Sequence, residues 1–334
     1  MIRNEDELEE LLSRPTERDK AVVNSLEGPI LILGAGGKMG PTLAMRAKRA
    51  GARHVIAVAR YSSGKVRKHL DQAGIETIAA DLLVPDALYR LPDAPHIIFM
   101  AAMKFGTTGA EHTTWAMNTY LPGRVAERYR SSHIVAFSTG NVYPLMPLAS
   151  GGATESTTPL PVGEYAQSAL GRERLFEYGS QTFGTPVVLL RLNYACELRY
   201  GVLLDIGYRV FERQTVDLSM GMANVIWQGD ANSACLQALQ HCSSPPLVLN
   251  LTGPESLSVR WIATEFAKRF GVEPRFHGEE ASTALISNSS RAIKMFGYPE
   301  VPPAEMIDWT AAWIGMGGAT HGKPTHFETR DGRF

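Results

Sequence analysis

The sequence predicts an α/β fold, in which a Rossmann-like doubly wound parallel sheet carries a smaller C-terminal α+β lobe. Short apolar runs such as "HVIAVAR" and "SHIVAFST" alternate with segments whose apolar residues recur every three or four positions. These runs lack the period-two alternation of half-exposed strands, which is typical of strands buried between two helical layers. After Leu192 the alternation stops, and three amphipathic helical segments close the chain.

The elements are expected in a simple order along the chain. Residues 1–27 contain a short polar helix, "EDELEELLSR", and a linker. Five or six strand and helix units fill residues 28–192, and a smaller lobe spans residues 193–320. A helix and a strand within residues 230–251 are candidates to return to the sheet. The tail, residues 321–334, is polar enough to be disordered. The runs expected to form strands are "GPILILGAGG", "HVIAVAR", "GIETIAA", "PHIIFMAA", "SHIVAFST", "TPVVLLRL" and "PLVLNLTG".

Bulk composition favours a small-molecule partner over nucleic acid or a membrane. The 334 residues include 33 Lys and Arg against 34 Asp and Glu, so the chain offers no electrostatic reason to bind a polyanion. No segment reaches the roughly 18 to 20 apolar residues of a membrane helix. Cys196, Cys235 and Cys242 form no CxxC pair and are too few for a disulfide framework. We therefore expect a cytoplasmic protein with buried thiols.

The glycine-rich turn "GAGGKMG" predicts a dinucleotide site in residues 28–192. It lies between the first expected strand and the helix "PTLAMRAKRAG", which is the context that makes such glycines informative. The glycines allow a tight turn and close approach of the backbone, so a pyrophosphate can meet the helix N-terminus. The alternative is a turn that serves only helix packing. The predicted cofactor contacts in this loop are Gly34, Gly36, Gly37, Lys38, Met39 and Gly40.

The end of the second strand favours NADP over NAD. Arg60 stands where an acidic residue would hold a ribose 2′-hydroxyl, and Ser62, Ser63 and Lys65 follow it. A cation beside hydroxyls suits a 2′-phosphate, although an arginine at a strand end is also commonly solvated. After the third strand, Asp81 is placed to meet the adenine edge or to cap the following helix. Further contacts are predicted at Leu82, Ala101 and Ala102.

Several motifs in a fixed order make the chain resemble the extended short-chain dehydrogenase/reductase family, which includes nucleotide-sugar epimerases and dehydratases. They are the glycine loop, "FMAAMKFG", "MNTYLPGRVAE", "FSTGNVYP", "EYAQSALGRE", "LRLNY" and "LTGPESLSV", between about Pro29 and Ile314. The resemblance implies an NAD(P)-dependent oxidoreductase or epimerase/dehydratase acting on a sugar, sugar acid or nucleotide-sugar. It also implies a homodimer formed through helices around residues 110–130 and 163–182.

The resemblance assigns roles to individual side chains. Thr139 occupies the family's Ser/Thr position, with Ser138 as the neighbouring alternative, and a hydroxyl there can hydrogen-bond a substrate oxygen as charge develops. Tyr165 occupies the acid/base position. A phenol with a pKa of about 10 exchanges protons at neutral pH only when positive charge stabilises the phenolate. Asn118 is expected in mid-helix at the cofactor, where the family's asparagine supports a water network.

The chain departs from the family four residues after the tyrosine, where Ala169 replaces a lysine. In the family that lysine supplies the positive charge and holds the nicotinamide ribose. Arg172 follows on the same helical face, but arginines on helix surfaces are usually solvated or in ion pairs. Lys104 resembles a lysine found after the fourth strand of nucleotide-sugar epimerases and is favoured as the cation, unless it is a solvated loop residue. The departure leaves open a catalytically altered dinucleotide-binding regulator or scaffold.

The C-terminal lobe indicates the substrate only weakly. Arg191 and Asn193 stand where the family's substrate lobe begins, and they either contact substrate or pin the crossover between the two lobes. Tyr200 and Arg209 are further polar residues of this lobe. None of the nine histidines forms a cluster with acidic residues or cysteines, so no metal site is predicted. The candidate substrate contacts are Lys104, Asn141, Asn193 and Arg199.

Overall fold

The computed structural model describes residues 2–104, 106 and 109–333. The described strands are β1 (Ile30–Leu33), β2 (Val55–Ala59), β3 (Glu76–Ala79), β4 (His96–Phe99), β5 (His133–Thr139), β6 (Met146–Pro147), β7 (Val187–Leu192), β8 (Ala195–Cys196), β9 (Thr215–Asp217), β10 (Met222–Ala223), β11 (Ile226–Trp227), β12 (Leu247–Leu251), β13 (Leu257–Ser258), β14 (Arg275–His277) and β15 (Thr283–Ala284). The described helices are α1 (Glu5–Leu12), α2 (Glu17–Ser25), α3 (Gly40–Arg49), α4 (Gly64–Gln72), α5 (Glu111–Trp115), α6 (Leu121–Arg128), α7 (Gly163–Phe183), α8 (Val202–Phe211), α9 (Gln228–Ala238), α10 (Val259–Phe270), α11 (Ser290–Phe296) and α12 (Pro303–Gly315).

A seven-stranded sheet in the order β12-β7-β5-β4-β1-β2-β3 forms the centre of the molecule, and every neighbouring pair in it is parallel. The chain runs outward from β1 to β3 and then crosses back to β4 on the other side of β1. The doubly wound sheet predicted from the sequence is confirmed. In such a fold ligands bind beyond the carboxyl ends of the strands, at the point where the strand order reverses.

Both faces of the sheet are covered by helices, which explains the unbroken apolar runs. On one face Ile30 and Ile32 pack in a core with α3 and α9. On the other, Leu31 and Leu33 pack in a second core with α6 and with Phe176 of α7. Alternate residues of one strand thus enter different cores, so both sets must be apolar.

The smaller lobe has its own core, formed mainly by α8, α10 and α12. Short two-stranded pairs, among them β10 with β13 and β14 with β9, link its loops. The strand "PLVLNLTG" returns from this part of the chain to the large sheet, where Leu249 of β12 pairs with Leu190 of β7. Helix α9, which precedes it, covers the sheet.

The N-terminal segment contains two helices, so the expected single helix followed by a linker was incomplete. The second helix, α2, starts at a capping box in which Thr16 and Asp19 satisfy each other's backbone N–H groups. Asp19 is buried and forms a 2.7 Å ion pair with Arg46 of α3. It also accepts hydrogen bonds from Ser233 (2.6 Å) and Gln237 (3.0 Å) of α9. This carboxylate therefore fastens the N-terminal segment to the sheet domain.

The C-terminal segment packs against the smaller lobe, in contrast to the disorder that its polarity allows. The backbone N–H and the hydroxyl of Thr325 donate to the Asp205 carboxylate of α8 at 2.7 and 2.5 Å. Phe327 is buried in the lobe's core. Arg330 donates to the carbonyl oxygen of Thr283 at 2.8 Å. These contacts bring the segment across the edge of the central cleft.

Candidate active site

A cavity of about 300 Å³ lies beyond the carboxyl ends of β1, β4, β5 and β7, where the sheet meets the smaller lobe. It brings together all four residues predicted to be catalytic. The glycine loop and helix α7 both contribute residues to the cavity wall. The lining residues used below are Gly37, Lys38, Lys104, Ser138, Thr139, Asn141, Tyr165, Arg172, Asn193, Tyr200 and Thr325.

Two glycines of the phosphate loop serve different purposes. Gly34 has φ +96°, and a Cβ there would lie 2.5 Å from the backbone nitrogen of Ala101, so the fold itself requires glycine. A Cβ on Gly37 would meet no protein atom nearer than 3.6 Å, the carbonyl oxygen of Gly34. Gly37 faces the cavity next to the N-terminus of α3, so its missing side chain leaves room for a ligand. This cradle fits the pyrophosphate of a dinucleotide.

The remaining loop residues surround this cradle. Met39 is the N-cap of α3 and lines the cavity together with Lys38. Gly36 and Gly40 belong to the same turn but are not part of the cavity wall. A Cβ on Gly36 would lie 2.9 Å from the Cβ of Ala59.

The other predicted cofactor contacts lie at the same sheet edge, and all of them except Ala102 are outside the cavity wall. Arg60 and Ser62 are exposed after β2. The Asp81 carboxylate accepts from the backbone of Leu83 at 3.0 Å and thus stabilises a turn rather than a helix start. Leu82 is buried in the core, as is Ala101, whereas Ala102 lines the cavity.

Thr139 and Tyr165 form the centre of the cavity. Thr139 ends β5 and Tyr165 lies in the first turn of α7, so both side chains stand on regular elements, and their hydroxyls hydrogen-bond to each other. Burial raises the pKa of the Tyr165 phenol, against the opposing charge of Arg172 and the hydrogen bond from Thr139. The phenol is therefore protonated at neutral pH and ready to donate.

Ser138 belongs to a buried network instead. Its hydroxyl donates to Glu173 at 2.5 Å, and Glu173 forms a 2.6 Å ion pair with Arg191. Arg191 also donates to the Tyr143 hydroxyl at 2.7 Å. Of the two roles left open for Arg191, the network supports pinning the crossover, because β7, α7 and the turn after β5 are tied together by it.

Asn118 lies in a π-helical turn, Ala116–Tyr120, between α5 and α6 and is completely buried. Its amide oxygen accepts from the backbone N–H of Met103 at 2.8 Å and from Arg172 at 3.1 Å. Its amide nitrogen donates to the Met103 carbonyl at 2.8 Å and to Ser168 at 3.0 Å. Asn118 thus fixes the loop after β4 to α7.

Arg172 is 2% exposed and makes no ion pair among the described residues, so it is neither the solvated nor the ion-paired arginine that its helical position suggested. One of its terminal nitrogens donates to the carbonyl oxygen of Phe137 at 2.7 Å, and the other donates to Asn118. Ala169, by contrast, is completely buried among Val142, Tyr143 and Ala153.

Two lysines, Lys38 and Lys104, line the cavity. The Lys104 ammonium lies 3.5 Å from the carbonyl oxygen of Thr325 and 5.9 Å from the centre of the Tyr165 ring. Burial lowers the pKa of Lys104 to about 8, against the opposing charge of Asp205. The Lys38 ammonium lies 3.2 Å from the centre of the Tyr200 ring. Burial and the charges of Lys104 and Lys323 lower the pKa of Lys38 to about 7.

The candidate substrate contacts divide into two groups. Asn141 and Asn193 line the cavity, and the Asn193 amide donates to the Leu285 carbonyl at 3.3 Å. Arg199 lies outside the cavity wall. Its guanidinium pairs with three carboxylates, those of Glu197, Glu5 and Glu9, at 3.1 to 3.3 Å. Arg199 therefore connects the N-terminal helix to the smaller lobe, and it is corrected from a substrate contact to a structural residue.

Sequence reasoning missed the contributions of the C-terminal segment. Thr325 lines the cavity and Asp205 anchors it, yet no local motif marks either residue. Arg209 was considered for substrate, but it pairs with Glu328 of the same segment at 2.9 Å. These contacts join residues more than a hundred positions apart, which a local pattern does not reveal.

The described residues contain neither a candidate metal site nor a candidate membrane-spanning helix. Within them, no group of three or more histidine, cysteine, aspartate or glutamate side chains is arranged to hold a metal ion. Across the same part of the chain, no helix is long and apolar enough to cross a membrane. The three cysteines carry free thiols.

Comparison with known proteins places these features in context. The sequence model of the NAD dependent epimerase/dehydratase family matches residues 30–196. No curated protein sequence matches the chain. Among solved structures, UDP-glucuronic acid 4-epimerase from Bacillus cereus has a TM-score of 0.73 at 18% identity, covering 86% of this chain and 99% of its own. UDP-glucose 4-epimerase from Thermotoga maritima has a TM-score of 0.72 at 17% identity, and the match covers 86% of this chain and 99% of that one. WbmG from Bordetella bronchiseptica, solved with NAD, has a TM-score of 0.73 at 20% identity, and the match covers 90% of this chain and 98% of that one.

Proposed function

Because the chain belongs to the NAD dependent epimerase/dehydratase family, we propose that it is a nicotinamide-dinucleotide-dependent epimerase, dehydratase or oxidoreductase that acts on a sugar, sugar acid or nucleotide-sugar. Membership confirms the resemblance inferred from the ordered motifs. The activity and the substrate class are supported by the arrangement of the cavity and by the two UDP-sugar 4-epimerases among the similar solved structures.

The observation that carries the proposal is the hydrogen-bonded pair of Thr139 and Tyr165 inside a cavity that also contains the Gly37 cradle. The cradle fits a dinucleotide, and the two hydroxyls lie on the wall between it and the smaller lobe. Proton transfer at a substrate oxygen requires a donor or acceptor within hydrogen-bond reach, and this pair supplies one.

The side chains of this chain have separable roles in the proposal. The nicotinamide supplies a hydride acceptor or donor when it is bound. Tyr165 exchanges a proton with the reacting oxygen of the substrate, and Thr139 donates a hydrogen bond to the same oxygen. Lys104, which also lines the cavity, orients an anionic or hydroxylated part of the substrate. Burial keeps the Tyr165 phenol protonated, so proton donation is favoured at neutral pH and proton abstraction gains as the pH rises.

The choice between NAD and NADP rests on opposing indications. The exposed guanidinium of Arg60 after β2 supports a 2′-phosphate and hence NADP. The family description and the structures solved with NAD support NAD. Calorimetric titration with each dinucleotide separates them, since Arg60→Ala weakens NADP binding selectively only if Arg60 meets the phosphate.

The proposed activity is tested with Tyr165→Phe. Purified protein is incubated with each dinucleotide and a panel of UDP-sugars and sugar acids, and products are identified by NMR. We expect wild-type turnover and a loss of about 10²- to 10⁴-fold in Tyr165→Phe, with dinucleotide affinity retained. Tyr89→Phe, at a tyrosine that is 60% exposed, is the control. Unchanged turnover in Tyr165→Phe would contradict the role of the phenol.

A second candidate function is a dinucleotide-binding regulator or scaffold. Ala169 supports it, because the position of the family's lysine is filled by an apolar residue with apolar neighbours. Tight dinucleotide binding without turnover on the whole substrate panel is the result expected of such a protein. Robust turnover excludes it.

We also propose that the chain forms a homodimer through α5, α6 and α7. Trp115 of α5, Tyr120 at the end of the π-helical turn before α6, and Tyr178 of α7 are 38%, 60% and 63% exposed. Exposed aromatic residues are typical of interface centres. Light scattering after gel filtration measures the mass. Tyr120→Asp together with Tyr178→Asp is expected to convert a dimer to a monomer.

A further inference from the structure

Helix α7 presents Tyr165 and Arg172 to the cavity but turns Ala169 away from it. At 3.6 residues per turn, a residue seven positions on points within about 20° of the first, whereas one four positions on is rotated by about 40° in the opposite sense. The cavity wall accordingly contains Tyr165 and Arg172. Ala169 contacts the apolar cluster of Val142, Tyr143 and Ala153 instead.

The surroundings of Arg172 leave its charge largely uncompensated. Its two terminal nitrogens donate to neutral acceptors, the Phe137 carbonyl and the Asn118 amide oxygen. Its Nε atom has no hydrogen-bond partner among the described residues. The adjacent carboxylate, Glu173, is engaged by Arg191 and Ser138. A buried cation without a paired carboxylate destabilises the fold, so its retention calls for a compensating interaction.

We propose that Arg172 is a positioning residue whose guanidinium supplies the positive charge that acts on the Tyr165 phenol, in place of a cation at position 169. This inference rests on the proposed function, in which Tyr165 exchanges a proton with the substrate. Arg172 acts through the tyrosine, because both of its terminal nitrogens donate to acceptors of the protein itself.

The electrostatics of the cavity support Arg172 over Lys104 in this role. The Arg172 charge lowers the pKa of Tyr165 against the effect of burial. Burial lowers the pKa of Arg172 as well, but guanidinium groups stay protonated in proteins. Lys104 lies over the face of the tyrosine ring and, with a pKa of about 8, loses its charge before the phenol titrates. Lys38, Tyr200 and Asp205 also face this region and remain unchanged in the variants below.

The test replaces Tyr165 with a fluorinated tyrosine, whose phenol titrates at a lower pH, and follows it by ¹⁹F NMR in the full-length protein. At an effective dielectric constant of about 20, Coulomb's law gives a shift of about two pH units for charges about 6 Å apart and about one unit for charges about 12 Å apart. We expect Arg172→Gln to raise the midpoint by about one to two units and Arg172→Lys to retain most of the wild-type value. Arg174→Gln is the matched control, since Arg174 lies on the same helix in a partly exposed pair with Glu177.

A midpoint that stays within 0.3 units of wild type in folded Arg172→Gln overturns the inference. Circular dichroism confirms folding, and if Arg172→Gln is unfolded, the near-isosteric Arg172→Met replaces it. The titration does not require turnover, so it succeeds or fails independently of the proposed function. If the protein is active, kcat in the direction in which Tyr165 abstracts a proton is also expected to fall in Arg172→Gln at pH 8. This kcat should recover as the pH rises. A purely structural role of Arg172 would lower kcat equally at all pH values.

Discussion

Replacing Asp19 with asparagine is predicted to destabilise the whole protein. The carboxylate is completely buried and accepts from Arg46, Ser233, Gln237 and the backbone of Thr16. Asp19→Asn leaves the guanidinium of Arg46, itself 3% exposed, without its counter-charge. Breaking a buried pair in this way costs about 3 to 5 kcal/mol.

The expected change in melting temperature follows from chain length. At about 2.1 cal/mol/K per residue, 334 residues give an unfolding entropy of about 0.7 kcal/mol/K. A loss of about 3 to 5 kcal/mol therefore lowers Tm by about 4 to 7 °C, measured by differential scanning calorimetry at pH 7. Glu17→Gln is the control, because Glu17 and Lys20 form an exposed pair on the same helix, with an expected effect below about 1 kcal/mol. A drop in Asp19→Asn no larger than in the control would refute the reasoning.

The same carboxylate makes a pH-dependent contribution. Burial alone would raise the pKa of Asp19, but the Arg46 charge and the hydrogen bonds outweigh it and hold the pKa below its ordinary value. A carboxyl group whose pKa is lowered by folding contributes its full stabilisation at pH values above its unfolded-state pKa of about 4. That stabilisation is lost as the pH falls through the folded-state pKa. The Tm difference between wild type and Asp19→Asn should therefore shrink as the pH is lowered below about 4.

Three further predictions concern the cleft. Gly37→Ala is expected to keep the wild-type Tm and weaken dinucleotide binding at least tenfold in calorimetry, whereas Gly34→Ala is expected to lower Tm because its φ and its contact with Ala101 exclude a side chain. If Arg60 meets the 2′-phosphate of NADP, Arg60→Ala is expected to reduce NADP affinity roughly tenfold more than NAD affinity, since a charge-assisted hydrogen bond would be lost; equal losses would mean that Arg60 does not contact the 2′-position. Thr325→Val removes the hydroxyl bond to Asp205 and is expected to raise KM severalfold with little change in Tm; an unchanged KM would mean that this wall does not meet substrate.

The sheet and the glycine loop could be predicted because their signals are local. The inner strands of the sheet are short, mainly apolar runs, whereas the edge strand β3 (Glu76–Ala79) is half polar. The turn after β1 carries its own glycines next to the helix that follows. Strands β12 and β7 were both visible as apolar runs, but the sequence did not show that they pair with each other. Burial on both faces of a parallel sheet leaves this trace directly in the composition of each strand.

The parts that escaped prediction depend on contacts distant in sequence. Arg172 looks like any helix-surface arginine until β5 and the turn carrying Asn118 close over it. Arg199 looked like a substrate contact because its partners, Glu5 and Glu9, lie near the other end of the chain. The C-terminal segment is polar, yet its polar groups find fixed acceptors in the smaller lobe. Such pairings arise from the tertiary arrangement, for which a single sequence offers no periodic signal.

The packing around Ala169 also bears on how such a site can change over generations. A lone Ala169→Lys substitution would push a long ammonium-bearing chain into contact with Val142, Tyr143 and Ala153, at a cost typical of overpacking, about 1 to 3 kcal/mol, before any benefit at the tyrosine. Reversion therefore passes through a less stable intermediate unless the neighbours change first. The buried arginine is held in place by the Phe137 carbonyl and by Asn118, so the packing of the core constrains the chemistry of the cleft.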